Sequence, residues 1–156
     1  SSEAFVDKSK MSLFGASQGG VVASLYAAAY PDRVHKLLLI FPAFVLFDDA
    51  KETYRELGSP NFDQLPDSLT HHNATLGKIY LIDALGIDIQ SELAKITAPT
   101  LIIHGTDDAV VPYQYAVEAS QTIPNAKLVT VEGGEHGIDE RFAITAAPAI
   151  QKFLKE

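Results

Sequence analysis

The chain has 156 residues, 47% hydrophobic and 21% charged, the size and composition of one globular domain with its own core. Its formal net charge of −8 speaks against nucleic acid and anionic membranes as partners, because both require clustered Lys and Arg. The absence of cysteine excludes disulfides, thiolate metal sites and cysteine nucleophiles, and no apolar run approaches the roughly 20 residues that span a bilayer.

Ser1–Lys10 is polar and carries no signal-peptide hydrophobic region, so the expectation is a cytoplasmic protein. Met11–Phe14 reads as a short buried strand. Gly15-Ala16-Ser17-Gln18-Gly19 follows, and then an alanine-rich helix over Gly20–Tyr30 that Pro31 ends. A strand, a glycine-flanked serine and a helix form the pattern of a nucleophile elbow. A serine hydroxyl is a poor nucleophile until a tight turn presents it beside a base and facing backbone donors. The pattern predicts close strand–helix approach at Gly15 and Gly19, so both positions are expected to need small residues.

Val34–Phe41 is a continuous apolar run, typical of a parallel strand covered on both faces, and Pro42 closes it. Residues 43–95 then interrupt the regular alternation and are expected to form a cap or lid. Thr100–His104 reads as the third core strand, introduced by Ala98-Pro99 and closed by Gly105. Tyr113–Thr122 reads as a helix after Pro112, and Lys127–Val131 as a fourth strand closed by Gly133-Gly134. Ile138–Leu154 is the last helix, with Pro148 expected to kink or break it. The order predicts an α/β fold with a mostly parallel sheet and helices on both faces. Its core spans 1–42 and 96–156, with 43–95 as the cap.

A serine nucleophile needs a histidine to take its proton and an acid to hold that histidine. Asp107 and Asp108 follow the third strand, where chemistry collects in open α/β sheets. His136, in Gly133-Gly134-Glu135-His136-Gly137, follows the fourth. His104 reads as a structural residue at a strand end, His35 lies at a helix–strand junction, and His71 and His72 lie in the cap. No third ligand stands at metal spacing beside His71-His72, so no metal is expected. No phosphate-binding lysine loop or dinucleotide glycine motif is present, so no cofactor is expected either.

The chain resembles the carboxyl-terminal part of an α/β-hydrolase, and within that superfamily it is most similar to bacterial cinnamoyl and feruloyl esterases. The cues are Gly15–Ser24, Tyr30-Pro31-Asp32, His104-Gly105-Thr106-Asp107-Asp108, and the order serine, acid, histidine. The resemblance covers nearly the whole chain. Its G-x-x-D-x-x-V-P pattern selects Asp108 as the acid and leaves Asp107 as a turn residue. It implies a serine carboxylic ester hydrolase: Ser17 attacks, His136 moves the proton, Asp108 holds His136, and the Gln18 backbone N–H is one oxyanion donor. It also implies a small-molecule hydroxycinnamoyl ester as substrate, with Asp49 and Tyr80 on the ring hydroxyls. Short-chain acyl esters, lipids or thioesters are alternatives, as is a non-catalytic module. On the bland reading, Asp49 is a solvated loop residue and Tyr80 a core aromatic.

The family carries several strands before the elbow, whereas here the elbow begins at residue 15. The loop that gives the second oxyanion donor in the family has no counterpart. The first strand would then be a sheet edge, and apolar edges invite association. The expectation is pairing with an upstream half, a second copy or a swapped element, or a chain that is the later part of a longer protein.

Overall fold

A computed structural model describes residues 11–71 and 74–156. Two compact units are present. One comprises the chain up to Phe44 together with Gln90–Glu156, and the other is Val45–Ile89, which lies inside the stretch 43–95.

The larger unit is built on β1 (Ser12–Ala16), β2 (Lys36–Ile40), β5 (Thr100–Gly105) and β6 (Ala126–Val131), in the spatial order β1-β2-β5-β6. Every pairing is parallel, with Gly15 opposite Leu39, Leu39 opposite Ile102 and His104 opposite Thr130. Every residue of β2 and β5 is buried, as expected for strands covered on both faces. Side chains alternate between the two faces. Leu38, Ile40, Leu101, Ile103 and Val131 share one face with Phe142, Ala146 and Phe153 of the last helix, α6 (Glu140–Lys155). Leu37, Leu39 and Ile102 point the other way and are equally buried. Each phenylalanine that α6 buries contributes about 1.5–3 kcal/mol.

Within the larger unit α1 (Gln18–Ala29) connects β1 to β2, α5 (Gln114–Thr122) connects β5 to β6, and α6 follows the last strand. Asp139 caps α6 by accepting from the Phe142 N–H at 2.7 Å, and Lys152 and Lys155 lie in its last turn, where cations oppose the helix dipole. Of the kink or break expected at Pro148, the break does not occur, since α6 runs through it as one helix. Pro148 and Ile144 are both exposed, so the Ile144 carbonyl that loses its helical donor can turn to water.

The smaller unit contains α2 (Leu46–Glu56), an antiparallel hairpin of β3 (Ser68–His71) and β4 (Ala74–Gly77), and α3 (Lys78–Gly86). A short helix, α4 (Ile89–Leu93), leads back to the sheet. Asp48 and Asp49 lie in the first turn of α2, where negative charge suits the helix dipole. Tyr54 Oη donates to the Pro60 carbonyl at 2.6 Å, and its ring meets Phe62 edge-on, fixing the chain after α2. His72 lies outside the described residues. Among the described residues no helix is long and apolar enough to cross a membrane.

Candidate active site

Ser17 stands between the end of β1 and the start of α1 with φ 51° and ψ −125°. A non-glycine residue held at positive φ costs on the order of 1–3 kcal/mol and must be secured by its surroundings. Three backbone hydrogen bonds secure this one. Ser17 N–H donates to the Ile40 carbonyl at 3.0 Å, and the Ser17 carbonyl accepts from Gly20 and Ala43 at 2.9 and 3.0 Å. A Cβ on Gly15 would run into the Gly19 backbone and stand 2.7 Å from Gly20 Cα. The second crowded glycine, however, is not Gly19, which faces open space. It is Gly20, where a Cβ would meet Pro42 at 2.9 Å. The close partner of the helix is therefore the turn after β2.

The acid and base loops are clasped by two backbone hydrogen bonds and one to a side chain. Thr106 N–H donates to the Val131 carbonyl at 3.1 Å, Asp107 N–H to the Gly134 carbonyl at 3.0 Å, and Gly133 N–H to Thr106 Oγ1 at 2.8 Å. Gly105 and Gly134 lie in direct contact at the centre of this clasp. Because β5 and β6 are parallel neighbours, both loops leave the same end of the sheet. That end is also where β1 delivers Ser17.

The geometry brings three of the expected residues together. His136 Nε2 lies 3.1 Å from Ser17 Oγ, and His136 Nδ1 lies 2.7 Å from Asp108 Oδ2. A carboxylate only accepts, so Nδ1 carries the hydrogen. In a neutral ring Nε2 is then a bare acceptor for the serine hydroxyl. Asp108 is fully buried at its side chain, and its Oδ1 accepts from Val110 and Val111 N–H at 2.9 and 2.8 Å. Asp107 points elsewhere and accepts from the Thr106 hydroxyl at 3.0 Å. Gln18 is the first residue of α1, where a backbone N–H has no acceptor within the helix.

Two neighbours of this arrangement were not legible in the sequence. Phe41, buried and at φ 34°, lays its ring 4.5 Å from the His136 ring and 5.6 Å from Phe142. A strained buried aromatic directly after a strand thus walls one side of the imidazole. His104 is fully buried, and its Nε2 lies 3.2 Å from Asp108 Oδ2. Burial is the largest influence on it and holds its pKa below the usual 6.5, against the pull of Asp108. The available signal was a histidine at the close of a continuous apolar run, since such a group needs a partner when buried.

Asp49 and Tyr80 both belong to the smaller unit. Asp49 is half-buried in the first turn of α2, and Tyr80 half-buried in the first turn of α3. They are close enough for the Asp49 charge to act on the phenol. The Tyr80 pKa is raised above 10, mainly by burial and secondarily by that charge.

Known proteins share this architecture. Residues 87–156 match the family model described as TAP-like protein. Est1E from Butyrivibrio proteoclasticus superimposes with a TM-score of 0.80 at 30% identity, over 94% of this chain and 62% of that one. A second structure of Est1E, with ferulic acid bound, gives a TM-score of 0.78 at 30% identity, over 94% of this chain and 61% of that one. This is an α/β-hydrolase fold. It is similar to that of Est1E. Among curated relatives, the poly(3-hydroxyalkanoate) depolymerase of Ectopseudomonas oleovorans is 27% identical over 97% of this chain and 63% of its own length. The putative carbamate hydrolase RutD of Stutzerimonas stutzeri (strain A1501) is 39% identical over 44% of this chain and 26% of its own length. The chain thus spans less than two thirds of each of these relatives.

Proposed function

We propose that this α/β-hydrolase is a serine carboxylic ester hydrolase working through an acyl-enzyme in the cytoplasm. The observation that carries the reading is the continuous hydrogen-bonded path from Ser17 Oγ through His136 to Asp108. Ser17 Oγ attacks the ester carbonyl carbon while His136 Nε2 takes its proton, and a tetrahedral oxyanion forms. The Gln18 N–H donates to that oxyanion. Collapse breaks the bond to the alcohol oxygen, which leaves with the proton from His136. Water, deprotonated by His136, then releases the acid and restores Ser17. Asp108 keeps its charge throughout and balances the imidazolium.

A hydroxycinnamoyl ester of the feruloyl type is the proposed substrate. The ferulic acid bound to the related Est1E supports that choice. So does the half-buried pair of Asp49 and Tyr80, a carboxylate and a phenol suited to hydrogen-bonding a phenolic ring. A short-chain acyl ester is the second reading, favoured by the likeness to a poly(3-hydroxyalkanoate) depolymerase across nearly the whole chain. The outer edge of β1, with Phe14 60% exposed, is proposed to be covered in the working protein by upstream chain or a second copy. Light scattering on the full-length protein reads the second case as a dimer.

The test of the activity is hydrolysis of an aryl ester by wild type and Ser17→Ala. Loss of turnover in a folded variant is expected, and full activity would overturn the reading.

A further inference from the structure

His104 has no exposed surface, yet it is a polar ring beside the end of a wholly buried strand. Its Nε2 lies 2.9 Å from the Val111 carbonyl oxygen and 3.2 Å from Asp108 Oδ2. A carbonyl oxygen only accepts, so Nε2 carries the hydrogen and donates it to Val111, with Asp108 Oδ2 beside the same N–H. Nδ1 is buried and has no partner among the described residues. A charged ring would bury a second, unpaired N–H there, which agrees with the lowered pKa that burial gives this histidine.

Asp108 therefore accepts from three donors and lies against a fourth N–H. Val110 and Val111 N–H pin Oδ1, while His136 Nδ1 at 2.7 Å and His104 Nε2 at 3.2 Å meet at Oδ2. We infer that His104 is a positioning residue: it fixes the rotation of the Asp108 carboxylate and so aims His136 Nε2 at Ser17. The two amides alone anchor one oxygen and leave the other free to swing. A neutral donor on Oδ2 stops that swing without adding a positive charge to compete with the imidazolium on His136. This role rests on the catalytic reading of Ser17, His136 and Asp108 proposed above.

The experiment compares His104→Leu, which fills the space without a donor, with His104→Gln, whose Nε2 amide can donate to Oδ2. The readout is the rate at which a fluorophosphonate labels Ser17, with far-UV circular dichroism and a cooperative thermal transition as the check on folding. His104→Leu is expected to label about tenfold more slowly, the rate equivalent of one hydrogen bond to a charged group. His104→Gln is expected to recover most of that loss, which a space-filling role would not produce. Wild-type labelling in His104→Leu, or a His104→Gln variant as slow as His104→Leu, would overturn the inference and leave the catalytic reading intact. No labelling of the folded wild type would overturn the catalytic reading itself. Nitrogen-15 NMR of histidine-labelled wild type gives a second measurement that needs no variant. A neutral Nε2–H ring at residue 104 is expected near neutral pH, and an Nδ1–H ring would overturn the role.

Discussion

Gly105 and Gly134 touch backbone to backbone, and neither has room for a Cβ. One on Gly134 would stand 2.9 Å from the Val131 side chain and 3.1 Å from Gly105 Cα. Through this contact the loop carrying Asp108 and the loop carrying His136 are held as one piece. Gly105→Ala is expected to destabilise the fold by about 1–3 kcal/mol, as overpacking does, and to spread the two loops. Urea denaturation checks the first effect. The Ser17 labelling rate checks the second, with a fall on the order of 100-fold expected for an ångström-scale misplacement.

The two glycines after the serine should respond in opposite directions. Gly19→Ala meets nothing within 4 Å and sits inside α1, so it is expected to stabilise the protein by about 0.5–1 kcal/mol. Gly20→Ala would press on Pro42 from 2.9 Å and is expected to destabilise by about 1–3 kcal/mol. Denaturation midpoints of the two variants check this, and equal shifts of one sign would contradict it.

Acid should weaken the fold partly through His104. Its folded pKa is lowered, first by burial, with Asp108 and His136 facing it. The unfolded chain therefore takes up this proton near pH 6.5 while the folded chain does not. The associated stability is full above that value and is lost as pH falls from 6.5 through the lower folded value. One proton limits the slope to about 1.4 kcal/mol per pH unit. His104→Leu should flatten the dependence of unfolding free energy on pH in this window, measured by urea titrations at several pH values.

Much of the larger unit could be read along the chain. Its four strands are short apolar runs followed by Gly or Pro, and Ser17, Asp108 and His136 each lie in the turn or loop after one of them. The rest depended on register and packing. Gly20 matters through Pro42, which lies 22 residues on and reaches it only because β1 pairs with β2. His104 lies in β5 and Asp108 four residues on in the loop after it, a spacing that implies contact on a helix but not here. Phe41 reads as the last residue of an apolar strand, and its positive φ shows only in the folded chain. Pro148 reads as a helix breaker because sequence alone does not reveal which face meets water.

Tyr80→Phe separates the two proposed substrate classes. Removing the phenol oxygen is expected to lower kcat/KM for a feruloyl ester by about tenfold, one hydrogen bond, and to leave a short-chain aliphatic ester nearly unchanged. An unchanged ratio of the two would favour the short-chain reading.

The serine's reactivity is the most direct measurement of all. Fluorophosphonate labelling followed by peptide mass spectrometry is expected to modify Ser17 in the folded wild type. Labelling should be slowed at least about 100-fold in His136→Ala, since a positioned base contributes 10²–10⁴-fold. A folded wild type that stays unlabelled at Ser17, or His136→Ala labelled at the wild-type rate, would contradict the assignment of Ser17 and His136 as nucleophile and base.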